Sequence, residues 1–274
     1  MMTLKQLSVI TLLSLFVQVT ASQAQIWKKV QRKLEDKANQ KVDDVLNGKK
    51  SSGTNQSAVG GAKESRPYVE EVYSFTPGTK IIFESDFKFD TKGLMPKKWK
   101  SSGSGSILSV ADMPGKWLAL AEQSTYKIDS LINNPGNFTV EFDILTRSAE
   151  TADIGAMSFG FARDNASKNL LIDAHNGNAI TNTQLHFHNQ EVINSSSDTD
   201  KYNTLDYPFA SYSNSLLHVA ITVEGENMRV YIDKAKVLDT KMFKPAATKF
   251  FYITAPYSYE QGSKVYFGNF VMAK

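Results

Sequence analysis

The chain has 274 residues, 41% of them hydrophobic and 22% charged, and a formal net charge of +3. That length fits one large domain or two small ones, with an ordinary globular composition. So slight a positive excess argues against nucleic acid as the main partner. The absence of cysteine excludes disulfides, thiolate catalysis and zinc–cysteine sites.

Residues 1–24 read as a secretory signal. One early Lys5 precedes an apolar run from Leu7 to Val19, and Ala21-Ser22-Gln23-Ala24 gives a small-residue cleavage pattern. The run is shorter than the roughly 20 residues a membrane span needs. Export without cysteine points to a bacterial protein, located in the periplasm, at the outer membrane or outside the cell.

Residues 25–48 follow as a basic amphipathic helix. Ile26, Val30, Leu34, Ala38, Val42 and Val45 recur at helical spacing, and Asn47-Gly48 supplies the stop. Residues 26–50 hold eight basic and four acidic side chains. Residues 26–46 read first as a solvated spacer; docking of the stripe on an anionic envelope surface or a partner helix is the alternative. Residues 49–70 are rich in Gly, Ser and small polar residues and read as a flexible linker.

From residue 71 to 274 the pattern changes to short alternating runs separated by turn residues. Such runs, with no long helix between them, predict an all-β fold, an antiparallel β-sandwich of jelly-roll type. The hairpin 218–240 is its most legible part. Val219, Ile221 and Val223 face one way, as do Met228, Val230 and Ile232 after the turn at Gly225-Glu226-Asn227. Arg229, Tyr231 and Asp233 are expected outward. This hairpin is scaffold.

At this hairpin "LLHVAITVEGENMRVYIDKAKVLDT" resembles the late hairpin of concanavalin A-like, laminin G-like jelly-roll domains. "GTKIIFESDFKFDTKGLMPKKWK", "FTVEFDIL" and "KVYFGNFVMAK" are similar to other strands of that layout, so the resemblance spans Phe75 to Lys274. The order of signal, charged helix, linker and sandwich resembles exported Bacteroidetes-type proteins, some of which carry an OmpA-like domain after the sandwich. The resemblance here covers the sandwich and not an OmpA-like domain, so that domain's activity is not carried over. The fold itself hosts lectins, glycosidases, adhesion modules and inert spacers.

Several side chains bear on chemistry. Sandwich glycosidases of this resemblance carry E-x-D-x-E or E-x-D-x-x-E on one strand. Glu141 and Asp143 match the first two positions, but Leu145 and Thr146 stand where the third carboxylate belongs. A divergent hydrolase is therefore the minor alternative. His186 and His188 share a strand face and offer two ligands of a metal site or a polar binding surface, with His175 or His218 as a third ligand only if the sheet order allows. Glu84, Asp86 and Asn269 occupy places where related modules hold calcium; turn and edge hydrogen bonding is the simpler reading. No cofactor is expected.

Among the aromatic residues, Trp99, Trp117, Tyr126, Tyr202, Tyr207, Tyr212, Tyr257 and Tyr259 are candidates for stacking on sugar, with both tryptophans expected in the core. The stretch "DKYNTLDYPFASYSNS" reads as a ligand-binding loop presenting Tyr202, Tyr207 and Tyr212. Asp129-Ser130-Leu131 matches the Bacteroidetes O-glycosylation pattern, with Ser130 as acceptor. The leading expectation is a non-enzymatic module binding a glycan or an envelope protein. A structural spacer or assembly subunit is the alternative.

Overall fold

The computed structural model describes residues 73–132 and 136–274. The predicted signal, helix and linker, 1–24, 25–48 and 49–70, lie outside the described residues. The strands in chain order are β1 (Ile81–Ser85), β2 (Trp99–Ser101), β3 (Gly105–Leu108), β4 (Trp117–Leu120), β5 (Thr125–Ile128), β6 (Asn137–Arg147), β7 (Ala156–Ala162) and β8 (Ala179–His186). There follow β9 (Glu191–Ser196), β10 (Lys201–Asp206), β11 (Leu216–Glu224), β12 (Asn227–Ile232), β13 (Ala235–Lys241), β14 (Phe250–Thr254) and β15 (Lys264–Ala273). Two single 3-10 turns, Thr151–Ile154 and Phe209–Tyr212, are the helical elements among the described residues.

One sheet has eight strands, ordered β13-β12-β11-β6-β15-β4-β3 with β1 also on β15; the other has seven, ordered β10-β9-β8-β7-β14-β5-β2. Their strands pair antiparallel, and the all-β sandwich expected from the alternating runs is what forms. Period-2 alternation turns one face of each sheet inward. Phe142 meets Phe159 and Phe251 across the interior at 5.2 and 5.5 Å between ring centroids. Trp99 packs on Phe267 and Phe270 at 5.1 and 5.3 Å. Edge-to-face rings at such spacing add to burial energy of about 1.5–3 kcal/mol per large apolar side chain.

The hairpin takes its predicted register: Val223 opposes Met228, Ile221 opposes Val230 and Val219 opposes Ile232, all buried. The next turn, Asp233-Lys234, has positive φ at both residues, 45° and 72°. A glycine would normally relieve such a turn. Here Asp233 holds it: one carboxylate oxygen accepts the His218 N–H at 2.8 Å and the other the Tyr212 hydroxyl at 2.8 Å.

Tyr231 points outward as expected yet is fully buried, because residues 73–78 cross that face. Tyr73 sits edge-on to Tyr231 at 5.1 Å, Ser74 Oγ lies 2.7 Å from the Tyr231 hydroxyl, and Gly78 N–H donates to Thr139 Oγ1 at 2.9 Å. Lys80 and Lys274 then exchange two main-chain hydrogen bonds at 2.8 Å each.

Candidate functional site

The outer face of the seven-stranded sheet is polar, and registry explains how its side chains align. Tyr252 opposes both Lys127 and Gly160, Gly160 opposes Asn182, Asn182 opposes Ser195, and Ser195 opposes Tyr202. Directly opposed residues share a face, so these six form one row across β5, β14, β7, β8, β9 and β10. Two residues along, Ser158, Gln184, Ile193 and Thr204 line up in the same way, and beyond them Ala156, His186, Glu191 and Asp206.

The connection 163–178 between β7 and β8 lies over much of this face as a strap, which places main-chain polar groups against the sheet. Those groups need partners, and the sheet supplies them. Thr125 Oγ1 accepts the Leu171 N–H at 3.1 Å, Ser195 Oγ accepts the Ala174 N–H at 3.3 Å, and Lys127 Nζ donates to the Asp164 carbonyl at 2.9 Å. Gln184 Nε2 donates to the Ile172 carbonyl. Leu171 inserts beside Ala162, Ala179 and Tyr252. Burial lowers the Lys127 ammonium to a pKa of about 8, reinforced by Lys100 and opposed by Asp164. The Asn182 amide donates to the Tyr252 hydroxyl at 2.8 Å, while its oxygen finds no partner among the described residues.

Beyond the strap, the end of the face on β8, β9 and β10 stays open. Tyr202 is 70% exposed, and Thr204 and Asp206 follow it outward on the same strand. His186 stands opposite Glu191, and the exposed His188 brings its ring within 5.4 Å of the His186 ring. Gln184 uses its amide nitrogen on the strap, so its oxygen is the acceptor for His186 Nε2 at 2.8 Å. Burial lowers the His186 pKa and His188 adds to that, with Glu191 opposing; with the Gln184 oxygen as acceptor, Nε2 is the ring nitrogen that donates. Alongside β10 runs a cleft of about 200 Å³ between the two sheets, lined by Asn194, Lys201, Tyr202, Asn203, Leu238, Thr240 and Met242.

Three of the predicted site residues, Tyr202, His186 and His188, therefore share one open surface. Tyr207 and Tyr212 do not, which corrects the reading of 200–215 as a ligand loop. Residues 201–206 pair with β9 as an edge strand, and the chain then turns inward. Tyr207 is 3% exposed and Tyr212 7%. Both rings pack around Phe209, at 4.8 and 6.1 Å, and the Tyr207 hydroxyl donates to the Ile232 carbonyl at 3.1 Å. Burial raises both phenols well above their usual pKa, with neighbouring acidic groups adding to it. Of the other stacking candidates, Trp99, Trp117 and Tyr126 are core, Tyr259 is half-buried and Tyr257 is exposed. Ser130 and Leu131 are exposed.

Glu141 and Asp143 face outward from the eight-stranded sheet, together as expected, but they serve a salt link. His218, opposite Asp143, places Nδ1 2.8 Å from Asp143 Oδ1 and Nε2 3.5 Å from Glu141 Oε2. Burial alone would lower the imidazole pKa; hydrogen bonds and attraction from the two carboxylates reverse that and raise it to about 10. Asn269, at positive φ in the bulge of β15, donates to Asp143 Oδ2 at 2.7 Å. It is a partner of Asp143, not of Glu84 and Asp86. Asp86 caps the Lys88 N–H at 3.0 Å. Sequence reasoning missed the His218 link, whose only signal is cross-strand register.

No family model matches the sequence. No curated protein matches it either. Among solved structures, the carbohydrate recognition domain of Emp47p is similar with a TM-score of 0.53 and 12% identity, over 73% of this chain and 99% of that one. A Bacillus subtilis protein of unknown function with a galectin-like fold gives 0.49 and 11%, over 72% and 96%. The carbohydrate-binding module CBM66 from Bacillus subtilis gives 0.44 and 16%, over 65% and 96%. At these identities the likeness is one of fold, and the described residues build an antiparallel jelly-roll sandwich.

Proposed function

We propose that this protein is an exported, non-catalytic glycan-binding module that reads sugar on the open end of its seven-stranded sheet. The observation that carries the reading is Tyr202, an exposed aromatic ring on a strand whose outer face continues into Thr204 and Asp206. A pyranose ring offers an apolar face for stacking and a rim of hydroxyls. Tyr202 supplies the first contact, and Thr204, the next residue on the same face of β10, is placed for the second. The fold shared with the Emp47p carbohydrate recognition domain supports this use. The leader pattern in residues 1–24 supports export, and the basic stripe at 26–46 supports attachment to the envelope. The salt link of Glu141 and Asp143 to His218 supports a structural rather than hydrolytic role for that pair.

The test is a glycan array with the intact chain, followed by titration of the best binder against Tyr202→Ala. A loss of at least about tenfold in affinity, with an unchanged melting temperature, supports the reading. Equal affinity of the variant, or no binding above background, overturns it. Polysaccharide cleavage that disappears in Glu141→Gln would establish the hydrolase instead.

A further inference from the structure

The loop between β1 and β2 places apolar and basic side chains together on the surface. Phe87 is buried and anchors the loop, whereas Phe89 is 90% exposed and Leu94 60% exposed. The loop is fastened to the edge strand β3: Gly93 N–H donates to the Ile107 carbonyl at 2.8 Å and Ile107 N–H to the Leu94 carbonyl at 3.0 Å. Leu108, a third exposed apolar residue, follows Ile107 on that strand. Lys116 Nζ donates to the carbonyls of Lys88 and Asp90, at 2.9 and 2.6 Å, and clips the other limb of the loop to the start of β4. The exposed phenylalanine is therefore held out by an ordered framework.

Charge surrounds it. Residues 86–98 contain four lysines and two aspartates. Both aspartates are tied to main-chain donors, Asp86 to Lys88 N–H at 3.0 Å and Asp90 to Lys97 N–H at 2.9 Å. Lys92 and Lys97 are exposed on the same loop, and Lys88 extends over the Phe89 ring at 5.4 Å. Isolated exposed apolar residues are common, but two on one lysine-rich loop, with a third on the strand to which that loop is fastened, mark an interaction surface.

We infer that this loop docks on an anionic phospholipid surface, with Phe89 and Leu94 entering the headgroup boundary and Lys92 and Lys97 meeting the lipid phosphates. Apolar side chains that protrude from a loop and are flanked by flexible cations match an interface that is greasy below and negative above. The charge complementarity selects anionic lipid over neutral lipid.

The chain has no native cysteine, so one introduced at the exposed Thr91 gives a single labelling site without removing Phe89 or Leu94. The experiment uses the intact chain carrying an environment-sensitive fluorophore there, with the same label at Tyr202→Cys as the remote control. It is mixed with vesicles of phosphatidylglycerol and phosphatidylethanolamine, or of phosphatidylcholine alone. The expected result is a blue shift at position 91, quenched by spin-labelled lipid, with the anionic vesicles only and with little change at position 202. Lys92→Glu with Lys97→Glu should weaken this by more than tenfold, since one cation near an anionic surface contributes about fivefold. Phe89→Ser with Leu94→Ser should abolish it. A label at 91 that stays aqueous, that shifts equally with neutral vesicles, or that shifts no more than the label at 202 overturns the inference. So does a shift produced only by a protein partner. A failure of sugar binding at Tyr202 would leave this result unaffected.

Discussion

His218 and Asp143 form a link across two strands, 2.8 Å between Nδ1 and Oδ1, with Glu141 completing the arrangement on the far side of the ring. Its stability contribution depends on pH in a definite direction. The imidazole pKa is raised from 6.5 to about 10 in the fold. A raised pKa means that the folded state binds the proton more tightly, so the contribution is fully present below about pH 6.5 and lost as pH rises through 10. Solvent reaches part of the ring and screens the link, so the expected loss is about 1 kcal/mol. Urea midpoints of the wild type and His218→Gln should converge between pH 6.5 and 10. Lys127 titrates in both proteins, so taking the difference cancels it. A gap that does not change with pH would count against the link.

Tyr202 and Tyr207 differ by five positions and are expected to behave oppositely. Tyr202→Ala should leave stability within about 0.5 kcal/mol of wild type, as for an exposed residue away from the core. Tyr207→Ala should cost about 3–5 kcal/mol, the range for deleting a buried ring. Differential scanning calorimetry of the two variants decides this, and equal melting temperatures would refute the core assignment of Tyr207.

The strap depends on a few side chains of the sheet. Thr125→Val keeps the shape of a buried residue but removes the acceptor of the Leu171 N–H. An orphaned buried donor costs about 1–3 kcal/mol. Hydrogen exchange and limited proteolysis should quicken within 163–178 before the rest of the fold responds. Uniform quickening across the sandwich would mean that the strap does not open by itself.

Gly160 lies mid-row on β7, and a Cβ there would meet the Thr181 carbonyl oxygen at 2.1 Å. The obstacle is main chain and has no rotamer to escape through. Gly160→Ala should cost about 3 kcal/mol by equilibrium unfolding. A loss under about 1 kcal/mol would show that the β7–β8 pair gives way easily.

The readable and unreadable parts of this sequence divide on physical lines. The β11–β12 hairpin was legible because one face meets the core and the other does not, which forces alternation. β10 hid because its side chains are largely exposed on both faces, so "KYNTLD" has no period and looked like a loop. Composition could not separate Tyr202 from Tyr207 and Tyr212, since burial is settled by where the chain turns after Asp206. Thr125 is polar yet buried, because the distant segment 163–178 lies over it and bonds to it. His218 and Asp143 are 75 positions apart and meet only through the β6–β11 register.

The mutual bonds of Lys80 and Lys274 have a mechanical consequence. β1 and β15 run antiparallel, with Ile81 facing Ala273 just inside that pair. A load applied between residue 79 and Lys274 would grip both strands at the same end. It would peel the ladder open one pair after another instead of shearing many at once. Tension along that line should therefore detach β1 at low force, while the remaining interior stays shut.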